Sequence, residues 1–368
     1  MVGFKKNRRK KGEEDMPDYR VLMHRDALKK AEGYLAALKA ERKPGKYLQA
    51  QINAADLATV TTDAFVEMLM RTKVPKIFAE SAVFGDGRDW NLTELSILGD
   101  ISIATTVTIF DNGLHKHPQI HQPPFEGTLL FTPGALLQNG KLLPPADEAE
   151  VTANRQINFE GYYRLYERRL LPVFLYADAM AKEKGKSAFI TIPGLGCGMF
   201  AGWYQGTLGV ILQNTLTRFL ENHGKQFSHI KVVYYDPYSE CQDERTELHG
   251  ISFFVRPLTK GNENKPQLCK PEMFAETGDF FTYYELFSIV AWDHVSWPGN
   301  DFYVGDRQTD DGVKAAATNS MQVMTGIQGE YEKSSFQYRP PKEYADWNEV
   351  IQRNNLQLSV QGQLQVFP

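Results

Sequence analysis

Two stretches of this chain carry residue types that could do chemistry. The first, Ile192-Pro-Gly-Leu-Gly-Cys-Gly-Met-Phe-Ala-Gly202, sets four glycines (194, 196, 198 and 202) between a buried-type strand and a helix. Glycine permits positive φ and close approach, and a helix N-terminus adds partial positive charge. Main-chain N–H groups in such a loop therefore converge on an anion, and phosphate or diphosphate is the natural guest. The stretch lacks the Gly-Lys-Ser/Thr that ends a P-loop. It also misses the Gly-x-Gly-x-x-Gly of dinucleotide folds, although Asp236 follows the next strand. A tight turn with no ligand is the competing reading.

Cys197 sits inside this loop. A thiol near a helix N-terminus can have a depressed pKa and act as a nucleophile. No sequence feature assigns it a base among His223, His229 or His294, so a small residue filling a tight loop is the simpler reading.

The second stretch runs from Ile289-Val-Ala-Trp-Asp293 to Gly312 and holds five aspartates: 293, 301, 306, 310 and 311. Asp310 or Asp311 could cap the helix that follows, and others could be turn residues. As a group with Asn300 and Trp297 they leave the C-terminal end of a strand, where open α/β sheets bind ligands. Carboxylates there can hold ribose hydroxyls, or activate water against a developing oxocarbenium centre, as N-glycoside cleavage requires. Histidines 115, 117 and 121 could approach a metal, but the neighbouring Pro118, Pro123 and Pro124 suggest an extended loop. Asp301, Asp306 and Asp311 show no dedicated Mg²⁺ pattern, so no metal is expected.

These stretches need a frame. From Tyr19 to about Arg42, apolar residues recur at three- and four-residue steps and predict an amphipathic helix. A second is expected from about Ala54 to Thr72, with Thr62-Asp63 as caps, making the first ninety residues mainly helical. Ser96 to Phe110 and Gly127 to Thr132 read as strands. A helix over about 155–183, the strand 188–192, a helix over about 204–222 and the strand 230–235 then alternate. That succession predicts a parallel α/β layer. Strands are further expected at 250–255 and 285–292, and helix over 310–323.

Composition excludes several classes. The chain has 368 residues with 41 basic and 45 acidic side chains, a formal charge of −4, so no nucleic-acid partner is expected. Its longest apolar stretch, around Leu170 to Ala177, is broken by Pro172 and is far shorter than the roughly 20 residues of a membrane span. No membrane partner is expected. Six basic residues lie within Met1 to Lys11, but no apolar core of a secretory signal follows. Three cysteines at long spacings fit a reducing compartment.

The loop Gly196-Cys-Gly-Met-Phe-Ala-Gly202 resembles the diphosphate loop of the poly(ADP-ribose) glycohydrolase branch of macrodomains. Ile289-Val-Ala-Trp-Asp293 resembles the macrodomain strand whose end reaches the distal ribose. Asp293, Asp301 and Asp311, at steps of eight and ten, resemble the aspartate pattern of bacterial macrodomain-like effectors that remove ADP-ribose from ubiquitin.

The resemblance spans residues 187 to 326 and implies an α/β fold: a macrodomain-like mixed sheet between helices, with an N-terminal helical region. It implies four segments: a basic tail (1–15), a helical region (16–90), an ADP-ribose-binding domain (91–330) and a C-terminal extension packed on the core (331–368). The implied activity is hydrolysis of ADP-ribosyl-protein N-glycosidic bonds with no cofactor, ADP-ribose being ligand and product. The implied partner is an ADP-ribosylated protein such as ubiquitin, met after bacterial delivery into a host cytosol.

By the same resemblance Asp293, Asp301 and Asp311 would be catalytic. Gly194, Gly196, Cys197, Gly198, Met199, Phe200, Trp297 and Asn300 would bind ADP-ribose. The adjacent glutamates of the glycohydrolase branch have no counterpart here, so glutamate catalysis is not implied. The acid segment also follows the glycine loop in the chain, the reverse of ordinary macrodomains, which implies a rewired order.

Overall fold

A computed structural model describes residues 19–360 and 362–368; the basic run at the N-terminus lies outside the described residues. The frame is a nine-stranded mixed sheet. Its strands are β1 (Tyr19–His24), β2 (Ile101–Asp111), β3 (Ile120–Pro133), β4 (Ser187–Pro193), β5 (Ile230–Asp236), β6 (Glu244–Leu248), β7 (Ile251–Val255), β8 (Tyr284–Trp292) and β9 (Leu364–Phe367). They lie in the order β9-β1-β2-β3-β8-β4-β5-β7-β6. The inner strands β3, β8, β4, β5 and β7 are mutually parallel, while β2 runs antiparallel to both β1 and β3.

The main helices are α1 (Arg25–Lys39), α2 (Lys46–Ile52), α3 (Thr62–Arg71), α4 (Leu92–Leu98), α5 (Phe159–Glu183), α6 (Leu208–His223), α7 (Asp310–Ala316), α8 (Ser320–Thr325) and α9 (Trp347–Asn354). Single helical turns occur at Ala79–Ala82 and Glu148–Val151. Among the described residues no helix is long and apolar enough to cross a membrane.

Helices cover both faces, so the inner strands are apolar at nearly every position rather than at alternate ones. In β4, Phe189 joins the core beneath α1, α3 and α9, while Ile190 and Ile192 join the core beneath α5 and α6. This follows the two-residue period of a strand. The sheet takes β1 from the segment expected to be helical and β9 from the C-terminal extension, so both chain ends contribute to one core.

Several local expectations are corrected. Tyr19–His24 is a strand, with Val21, Leu22 and Met23 all buried because its two faces meet different cores. The helix starts only at Arg25, where the His24 ring accepts from Asp26 N–H (3.1 Å). The second helix begins at Thr62 and not near Ala54, because Thr61 supplies the cap to Ala64 N–H (3.3 Å). Ser96 lies inside a helix instead of starting a strand: Asn91 and Glu94 form a reciprocal capping box that nucleates α4. The expected helix at Tyr204 begins at Leu208. Met199–Tyr204 is a pair of tight turns kinked at Gly202, whose φ is +52°. The helix over 310–323 is split into α7 and α8.

Candidate functional site

Strand order explains how two distant stretches meet. β8 enters the sheet last among the inner strands but lies between β3 and β4, pairing Ser288 with Thr191 and Ile289 with Leu130. The glycine-rich loop leaves the C-terminal end of β4, and the acidic loop leaves the same end of β8. They therefore emerge side by side, at the edge where parallel sheets bind ligands. Between them lies a cavity of about 480 Å³, lined by Gly194, Gly196, Gly198, Met199 and Phe200 on one wall and by Trp292, Asp293, Asn300, Asp310 and Asp311 on the other. That volume falls in the ~300–1,000 Å³ range of small-molecule sites.

The glycine wall presents main chain because it is wedged from behind. A Cβ on Gly134, just after β3, would lie 2.3 Å from the nitrogen of Gly196. One on Gly196 (φ +71°) would lie 2.8 Å from the nitrogen of Ala135. Tyr166 of α5 fastens the two segments: its hydroxyl donates to Leu195 O (2.6 Å) and accepts from Ala135 N–H (3.0 Å). Leu137 N–H adds a bond to Phe200 O (2.8 Å). Beneath them Arg169 is buried, donating to Gly134 O (2.9 Å), Asp100 and Asp147. Burial would raise the Asp100 carboxyl, but the charges of Arg168, Lys30 and Arg169 more than offset it and hold the carboxyl down at about 2.

Cys197 packs behind the loop and is not part of the cavity wall. Burial pushes its thiol well above the ordinary value, and its sulfur lies against Leu195 O. It is a small residue filling the turn, the arrangement that disfavours a thiolate nucleophile.

The acid wall divides by how its carboxylates are occupied. Asp293 is saturated: Oδ1 accepts from Val295 N–H (2.7 Å) and Ser296 N–H (2.6 Å), and Oδ2 from Ser296 Oγ (2.5 Å) and Asn300 Nδ2 (3.2 Å). Asp301 does not line the cavity. Buried behind it, Asp301 accepts from Gln308 N–H (2.7 Å), Thr309 N–H (3.2 Å) and the Thr309 hydroxyl, and so folds the loop before α7. Asp310 accepts from Ala291 N–H (2.7 Å) and Lys314 Nζ (2.9 Å).

Asp311 differs from these. Oδ1 accepts from Gly312 N–H (3.1 Å) and lies 2.7 Å from Thr309 Oγ1, whose one proton goes to Asp301, whereas buried Oδ2 has no partner. Burial, with Asp293 next to it, drives its pKa well above the ordinary aspartate value, which favours the protonated form that can donate a hydrogen bond. Trp297 is also absent from the wall. Its indole N–H donates to Lys73 O (3.1 Å) and its ring meets Tyr303 edge-on, so it supports the loop from below.

A third segment, which the sequence did not single out, completes the cavity. Phe78 and Glu80 line it. Residues 73–80 are fastened along the acidic loop: Val74 N–H donates to Val295 O (2.9 Å), Trp297 N–H to Val74 O (2.8 Å), and the Asn300 amide bonds both N–H and C=O of Ile77. Lys73 is wholly buried, with Nζ 4.0 Å from the Trp292 ring centroid and donating to His294 O (2.7 Å). Burial lowers its pKa to about 7 against the opposing pull of Asp293. No motif marks this segment; only a pairing with residues more than two hundred positions away brings it here.

A smaller cavity of about 160 Å³ shares Pro193, Gly194 and Asp310 with the first and is closed by Asp236, Gln267 and Lys314. Asp236 accepts from Tyr238 N–H (2.8 Å) and Leu258 N–H (2.9 Å), and burial raises its pKa. The histidines do not converge: His115 and His117 are exposed, while His121 is buried against Leu268 O (2.9 Å). Among the described residues no cluster of three or more His, Cys, Asp or Glu is placed to hold a metal ion.

In comparison with known proteins, a family model described as "Macrodomain effector MavL" matches residues 19–344. No curated protein matches the chain.

Proposed function

The chain belongs to the MavL macrodomain effector family, and from that premise we propose that it is an ADP-ribosyl hydrolase. The observation that carries this reading is the single cavity with unlike walls, main-chain glycines on one side and acids with an amide on the other. Bare N–H groups suit a diphosphate, and neutral or ionised carboxyl groups suit the hydroxyls and anomeric carbon of a sugar. In this reading the Gly194–Phe200 loop holds the diphosphate and Phe200 packs beside it. The distal ribose faces Asp311, with Asn300 shaping the pocket. The partnerless Oδ2 of Asp311 donates to a ribose oxygen, while Asp293 and Asp301 hold the loop that presents it.

Water attacks C1″ as its bond to the acceptor nitrogen breaks, and the acid wall stabilises the positive charge developing on the ribose. For an arginine-linked adduct the guanidine is a good leaving group. The family's description as an effector supports action inside a host cell on an ADP-ribosylated protein, with ubiquitin the substrate suggested by resemblance. No cofactor enters this scheme. A second reading, a non-catalytic reader of ADP-ribose, draws support from the saturation of Asp293 and Asp301, which leaves neither carboxylate free to act as a base.

The test is incubation with ADP-ribosylated ubiquitin and assay of free ADP-ribose, with Asp311→Ala alongside. Release by the wild type that the variant loses is the expected result. Binding of ADP-ribose without release would favour the reader, and no binding would remove both readings.

A further inference from the structure

We propose that Glu80 is a catalytic residue of this site, the base that takes a proton from the attacking water. The inference rests on the hydrolase reading above and supplies what the three aspartates leave open. A general base needs a carboxylate that faces the substrate and has lone pairs to spare. Asp293 is saturated by its own loop, Asp310 is ion-paired to Lys314 and bonded to Ala291 N–H, both through Oδ2, so that only Oδ1 stays open, and Asp301 lies behind the wall. Asp311 has a spare oxygen, but that oxygen is buried, and burial favours the protonated form of its carboxyl group.

Glu80 lines the same cavity, half-buried, and among the described residues no other residue donates a hydrogen bond or ion pair to its carboxylate. Its backbone is nevertheless held firmly. Gly140 N–H donates to Glu80 O (2.7 Å), and three residues upstream Ile77 is clamped by both ends of the Asn300 amide. A carboxylate bonded only to its own N–H, on an anchored turn facing the acid wall, keeps lone pairs for a bound molecule and does not brace the fold. Burial, against the bond from its own N–H and with a smaller push from the charge of Asp293, raises its pKa above the ordinary glutamate value. That makes it a stronger base near neutral pH than a solvated glutamate.

The step balances as a hydrolysis. The water oxygen bonds to C1″ while the C1″–N bond breaks with its electron pair on the acceptor nitrogen. The water proton goes to Glu80 and then to that nitrogen, restoring the carboxylate. The products are ADP-ribose and the unmodified protein, with no oxidant, reductant or metal consumed.

The experiment compares wild type, Glu80→Gln and Glu80→Asp for release of ADP-ribose from ADP-ribosylated ubiquitin, for calorimetric affinity toward free ADP-ribose, and for thermal unfolding. A positioned general base contributes about 10²–10⁴-fold. Glu80→Gln is therefore expected to lose at least a hundredfold in kcat, with affinity and melting temperature near wild type. Glu80→Asp should recover part of the rate, and the acidic limb of the pH–rate profile should be lost in the glutamine variant. Turnover by Glu80→Gln within threefold of wild type would overturn the assignment while leaving the hydrolase reading intact. A wild type that binds ADP-ribose but releases none would overturn both.

Discussion

Asp301 separates support of the site from chemistry within it, and replacing it with alanine tests which it provides. Its carboxylate is the acceptor for two main-chain N–H groups, Gln308 at 2.7 Å and Thr309 at 3.2 Å, and for the Thr309 hydroxyl. An alanine leaves these donors without their acceptor in a partly buried corner, where each unmet donor costs at most about 1–3 kcal/mol. Allowing the loop to relax and admit water at one of them leaves a destabilisation of about 3–4 kcal/mol. Unfolding entropy near 2.1 cal/mol/K per residue gives about 0.8 kcal/mol/K for a chain of this size, so the melting temperature should fall by about 4–5 °C. ADP-ribose affinity should fall with it, because Thr309 Oγ1 also lies 2.7 Å from Asp311 Oδ1 and caps α7 by accepting from Gly312 N–H (3.1 Å). Differential scanning calorimetry and ADP-ribose titration read both effects. An Asp301→Ala protein that melts within 1 °C of wild type and binds ADP-ribose equally, yet has lost turnover, would refute this reasoning and place Asp301 in the chemistry.

Burial favours the protonated form of Asp311, and a donor role for its partnerless Oδ2 predicts that Asp311→Asn, which keeps both acceptor and donor, retains turnover within about tenfold, whereas Asp311→Ala loses about a hundredfold; equal loss in both would contradict a donor role. Gly196→Ala puts a Cβ 2.8 Å from Ala135 N and 2.9 Å from Ala135 O at a φ of +71°, so ADP-ribose affinity should fall more than tenfold, and an unchanged dissociation constant would remove this loop from the binding site. Lys73 titrates near 7 when folded and near 10.5 when unfolded, so between those values the unfolded chain holds the extra proton and stability rises with pH. Wild type should therefore gain on the order of 2 kcal/mol relative to Lys73→Met between pH 7 and 9, at about 1.36 kcal/mol per pH unit, and parallel urea-unfolding curves would show that Lys73 releases no proton.

The inner sheet was legible because its strands are buried on both faces and its crossover helices are long; β4, α5, β5 and β8 lie close to where their apolar runs place them. The ends were less so. Tyr19–His24 carries the same apolar residues as the helix after it, and only pairing with β2 and β9 makes it a strand. Within the candidate site, the glycine loop and the acid cluster stood out by residue type, but which carboxylates are free depends on hydrogen bonds that spacing does not encode. Asp293, Asp301 and Asp311 look alike in sequence and differ in valence. Glu80 was invisible because it reaches the cavity through a pairing of Val74 with Ser296, far along the chain.

The most direct test of the central claim is a crystal structure of the protein with ADP-ribose bound. The account expects diphosphate oxygens within hydrogen-bond distance of main-chain nitrogens between Gly194 and Phe200, and the distal ribose against Asp311 with its anomeric carbon open to Glu80. ADP-ribose bound elsewhere, or bound here with its ribose away from the acid wall, would contradict it.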